Sequence, residues 1–155
     1  MSKFESLLEA YGVSHQNKTN KFIHWLCVPA IFFSIVGLIS IVPFPWNYTL
    51  INELKVNWAM FALLLVLMYY ISLSITISIG MALFASLCIY LCGFINAFDY
   101  PVWIYLGVFA VSWVFQFIGH HIEGKKPSFL QDIQFLLIGP AWLMHFVFKK
   151  LKLPY

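Results

Sequence analysis

Two short stretches hold the residues of this chain that could do chemistry. One is Gln116-Phe-Ile-Gly-His120-His121-Ile-Glu123-Gly-Lys125-Lys126-Pro127, at the end of a long apolar run. The other is Tyr11-Gly-Val-Ser-His15-Gln-Asn17-Lys-Thr-Asn20-Lys-Phe-Ile-His24, near the start. On a helix Asn20 and His24 share a face, and so do Gln116, His120 and Glu123. His121 points about 100° away but can still line a cleft between helices. Neutral imidazoles backed by amides and a carboxylate form a site for iron, zinc or a similar ion. A histidine-rich site without thiolates suits redox-active iron. The competing reading treats histidines near a membrane surface as amphipathic anchors. The two differ in whether the histidines meet.

The elements that would bring them together are membrane helices. Of the 155 residues, 62% are hydrophobic and 10% charged, against about 25% charged in a soluble domain. Mean hydropathy is +0.85. Too little polar surface remains to cover a water-soluble globule, so the expectation is an all-α integral membrane protein of one domain, residues 1–155. No signal peptide is apparent, because no apolar stretch directly follows the N-terminal residues. The three cysteines, Cys27, Cys88 and Cys92, all sit in apolar runs without a Cys-x-x-Cys motif. They read as small buried residues, not a disulfide framework or thiolate site. The net charge of +3 comes from lysines spread along the chain. It reads as topology and excludes a nucleic-acid footprint.

In chain order, Ser2 and Glu5 suggest a capping box for a short helix over residues 3–10, with an apolar face suited to the membrane interface. Residues 22–43 make a first span, kinked by Pro29 and ended by Pro43 and Pro45, since roughly 20 apolar residues cross a bilayer. The uncharged block from residue 58 to 98 fits two spans with a turn near 72–80, where Gly80 is a plausible helix end. Pro101 opens a fourth span, 102–118. Residues 133–148 are short for a span and are interrupted by Gly139-Pro140. Four crossings place residues 1–21 and 119–132 on one side, and the lysines there make that side cytoplasmic. Lys149, Lys150 and Lys152 stay on it if 133–148 is re-entrant or interfacial. Both termini and all five histidines, including His145, then share the cytoplasmic side. That membrane is the inner membrane if the source is bacterial and the endoplasmic reticulum if it is eukaryotic.

The pattern His15-x4-Asn20-x3-His24-x4-Pro29, followed by Gln116-Phe-Ile-Gly-His120, Glu123-Gly-Lys-Lys-Pro127 and Gly139-Pro140, resembles a known family. It is the family of small membrane proteins that includes the fungal 2-hydroxy fatty acid dioxygenase of phytosphingosine breakdown. The resemblance covers the first 30 residues and roughly 113–148. It implies an iron(II) (Fe2+) enzyme that α-oxidises a 2-hydroxy fatty acid with dioxygen and releases a chain one carbon shorter. It implies His15, His24 and His120 as ligands, with His121 a further candidate. Glu123 is the carboxylate candidate for catalysis. Asn20, Gln116 and His145 are expected behind the ligands or against substrate, and Lys125 and Lys126 could hold the substrate carboxylate.

The residues agree with that chemistry. A fatty acid leaves its tail in the lipid bilayer and its carboxylate at the headgroups, where the histidines are expected. An oligomer is left open. The reading from another class is a non-catalytic membrane protein that carries a metal ion or acts as a structural partner. A carrier should place ionisable groups near the midplane, and here they sit at one end.

Overall fold

The structure, a computed structural model, describes residues 3–13, 15–46, 48–49, 55–124 and 132–153, without the side chains of 132–135. These residues form six helices and no strand: α1 (Lys3–Val13), α2 (Lys18–Ser40), α3 (Trp58–Leu73), α4 (Ile75–Ile95), α5 (Pro101–Glu123) and α6 (Asp132–Leu151). Three of them, α2, α4 and α5, are long and apolar enough to cross a membrane, and α3 is a shorter apolar helix. Ser2, Lys125 and Lys126 lie outside the described residues.

Local chemistry sets the boundaries. Asn17 caps α2, its side chain accepting from the backbone N–H groups of Thr19 and Asn20. The helix therefore begins before the apolar run does and carries the polar residues of its first turn inside it. Asn57 caps α3 in the same way. Ser74, in extended conformation, ends α3 and caps α4 by accepting from the N–H of Ile77. Pro101 opens α5, and Gly124, with φ of 72°, closes it in the left-handed region that glycine adopts freely.

Two sequence expectations are corrected. Gly80 does not end a helix. It lies inside α4, where a Cβ would fall 2.8 Å from Met144 Sδ and 2.9 Å from Phe148 Cζ, so the small residue lets α6 pack close. Gly139-Pro140 does not break the last segment, which is one continuous helix. Pro140 leaves the carbonyl of Leu136 without its usual helical donor. The neighbouring Leu137 carbonyl accepts from the buried Tyr70 hydroxyl at 2.5 Å, so a partner on α3 supports the helix at the interruption.

The bundle has two cores. At the histidine end Phe4, Leu8, Tyr11, Tyr70, Met81 and Trp142 join α1, α3, α4 and α6. At the other end Phe32, Val36, Leu63, Cys88, Cys92 and Tyr105 join α2, α3, α4 and α5. The cysteines are free and buried, as expected. A polar clamp closes that second end: the Tyr105 hydroxyl donates to Asn96 Oδ1 (2.8 Å), and Asn96 Nδ2 donates to Ser40 Oγ (3.0 Å). Leu64, Leu83, Phe94 and Val114 point outward.

Candidate metal centre

Three separate segments deliver three histidines to one point. His15 lies between α1 and α2, His24 in the second turn of α2, and His120 in the last turn of α5. Ring centroids are 4.2 Å apart for His15 and His24, 5.1 Å for His24 and His120, and 5.5 Å for His15 and His120. One ligand atom from each lies within 4.8 Å of the others. His15 and His24 are buried and His120 is half-buried.

The ring orientations are set from the backbone. His15 Nδ1 lies 2.6 Å from the Tyr11 carbonyl, and His24 Nδ1 lies 2.9 Å from the Asn20 carbonyl. A carbonyl only accepts, so each Nδ1 carries the proton and donates it, leaving Nε2 with its lone pair. This carbonyl-backed arrangement is how metal-binding histidines are ordinarily held. Burial pulls the His15 pKa down from 6.5 to about 4, against the opposing effect of the hydrogen bond to Tyr11, and the nearby His120 lowers it further. His15 is therefore neutral at pH 7 and available as a donor. Buried neutral imidazoles without a thiolate fit a borderline transition-metal ion such as iron(II).

Glu123 stands behind the group. Its carboxylate accepts from the backbone N–H of Gln16 (2.8 Å), the N–H of Asn17 (2.9 Å) and Asn20 Nδ2 (2.9 Å). These bonds tie the end of α5 to the positive N-terminus of α2. They also hold Asn20, whose carbonyl orients His24.

Of the other expected residues, Gln116 is buried on α5 one turn before His120, with no hydrogen bond to its Oε1 among the described residues. His121 is exposed, and His145 is half-buried on α6; neither belongs to the group of three. Two site residues escaped the sequence reading. Tyr11 stacks on His15 at 4.2 Å and 7°, and Trp142 lies 5.2 Å from Tyr11 and 5.5 Å from His15. Together they wall the site on the α1–α6 side. Gly139 packs against Tyr11 and leaves the phenol room, as a Cβ there would be 3.1 Å from its oxygen. The Gly139-Pro140 pair was the available signal, read as a helix break when it marks a close approach. A cavity of about 970 Å³ opens between α3 and α4 at the opposite end, lined by Ser40, Lys55, Leu63, Ala85 and Asn96 among others and by no histidine.

Comparison with known proteins identifies relatives of this chain. Residues 1–151 match the family described as "2-hydroxy-palmitic acid dioxygenase Mpo1-like". The chain is 29% identical over 147 residues to the Saccharomyces cerevisiae protein named 2-hydroxy-palmitic acid dioxygenase MPO1, covering 93% of this chain and 79% of that protein. No solved structure matches.

Proposed function

The chain belongs to the Mpo1-like family, and from that membership we propose that it is an iron(II)-dependent dioxygenase of 2-hydroxy long-chain fatty acids, releasing an acid one carbon shorter. The observation that carries this reading is the convergence of His15, His24 and His120 within 4.8 Å. These three residues would hold the ion, and iron(II) bound there would supply the activation of dioxygen and a binding position for the acid's oxygens. The chain's own residues do the rest. Tyr11 and Asn20 fix two ring orientations through their carbonyls, Glu123 fixes Asn20, and the Tyr11–Trp142 wall keeps water from one side of the site.

In the proposed topology α2 to α5 cross the bilayer, and α1 and α6 lie at the cytoplasmic interface. Three observations support it. Exposed Trp46, Tyr48, Trp58, Tyr100 and Trp103 cluster at the end away from the histidines, as an interfacial aromatic belt does. The contacts of α6 with Tyr11, Val28, Tyr70 and Gly80 sit near the histidine end of the bundle. The exposed Lys149 and Lys150 follow directly on the contact of Phe148 with Gly80. A fatty acid in that leaflet would present its carboxylate at the height of the histidines.

The test is oxygen uptake with product analysis on iron-loaded protein in lipid. We expect uptake matched by an acid one carbon shorter from 2-hydroxyhexadecanoate, and none from hexadecanoate. No shortened product from either acid would overturn the reading.

A further inference from the structure

Among the described residues, one buried acceptor beside the histidines, Gln116 Oε1, meets no hydrogen-bond donor. Gln116 is 5% exposed. A buried acceptor left unmade is costly to a fold and persists where something outside the fold meets it. Gln116 lies on the same face of α5 as His120, one turn before it. Its height follows from two close contacts: Gly119 lies against Asn20, and Gly37 lies against Tyr105. The helices therefore run antiparallel. Stepping back along α5 from Gly119 to Gln116 means stepping forward along α2 from Asn20 to the turn that carries His24. The unpaired carbonyl thus sits at the level of the histidines, on the side toward the bundle interior.

Resting on the dioxygenase reading, we propose that Gln116 accepts a hydrogen bond from the substrate's 2-hydroxyl and so selects 2-hydroxy acids over unsubstituted ones. A carbonyl oxygen needs a donor. At neutral pH the carboxylate of a fatty acid has none, and neither does its hydrocarbon tail. The 2-hydroxyl is the one donor near the reacting end. An unsubstituted acid, or a 2-oxo acid, would leave the carbonyl buried and unpaired in the complex. A site built to hydrogen-bond a hydroxyl rejects the analogue without it far more strongly than an apolar pocket can. The placement suits the substrate as well, because Gln116 is where C2 would lie if the carboxylate is at the histidines and the tail runs toward the bilayer.

Direct binding to metal-free protein separates this selection from chelation. Wild-type protein should bind 2-hydroxyhexadecanoate about tenfold more tightly than hexadecanoate or 2-oxohexadecanoate, the scale of one hydrogen bond to a buried acceptor. Gln116→Met should bind all three alike, keep the iron content of the loaded protein and melt no lower than wild type, since it removes an unpaired group without changing the volume much. A Gln116→Met protein that keeps the wild-type preference overturns the assignment. So does loss of folding in both Gln116→Met and Gln116→Leu, which would mark the amide as structural. Wild-type protein that binds the three acids equally yet shortens the 2-hydroxy acid overturns the role of Gln116 and leaves the dioxygenase reading standing. Wild-type protein that neither binds nor shortens any of them overturns both.

Discussion

The sequence kept both His120 and His121 as candidate ligands, with His121 about 100° away around α5. The structure turns His120 toward His15 and His24 and leaves His121 exposed. Metal analysis should therefore separate the neighbours: His120→Ala, like His15→Ala and His24→Ala, strips the ion, while His121→Ala retains it. Equal loss from both would mean that the ligand set is not these three. His15 also predicts a pH dependence. Its pKa is about 4 in the fold and 6.5 in the unfolded chain. Between those values the unfolded state binds more protons, so stability rises with pH. The metal-free protein should lose stability as pH falls from about 6.5 towards 4, with no further loss from this group below that. A His15→Gln variant should lose that part of the slope in thermal unfolding measured from pH 7.5 to 4.

At the scale of elements the site depends on how closely α2 and α5 approach. A Cβ on Gly119 would stand 2.5 Å from Asn20 Oδ1, and Asn20 is held from its other end by Glu123. Gly119→Ala should cost about 1–3 kcal/mol by overpacking and weaken metal binding, since Asn20 carries the carbonyl that orients His24. Gly107 lies on the same helix with nothing within 4 Å of its Cβ position, so Gly107→Ala should cost nothing in either measurement. Denaturation and metal titration of the pair check this, and matching behaviour of the two variants would remove the helix contact from the account of the site.

For the whole molecule the expectation is four crossings with the histidines, both termini and α6 on the cytoplasmic side. A reporter active only in the cytoplasm, fused after Tyr155, should be active. A silent fusion on well-inserted protein would mean that α6 crosses and that the lysines after it lie outside. The polar clamp of Tyr105, Asn96 and Ser40 and the exposed Trp46, Trp58 and Trp103 belong to the far end, so substitutions there should leave metal content intact.

What the sequence determined by itself was the helical class, the position of most helices and the residue types of the site. Composition and hydropathy are summed over many residues, so they can be read along a line. The junction at Ser74 fell inside the stretch where the turn was expected, but Gly80 was misread, because a glycine that ends a helix and one that admits a neighbouring helix look alike until the neighbour is placed. Gly139-Pro140 was misread for the same reason: the partner that supports α6 across the proline is Tyr70, far away in sequence. The family pattern already named His15, His24 and His120, but their convergence, the turn of Glu123 toward the head of α2 and the aromatic wall of Tyr11 and Trp142 were decided by tertiary structure. Each depends on the rotation and register of one helix against another, and those are set by contacts between residues that sequence spacing does not relate.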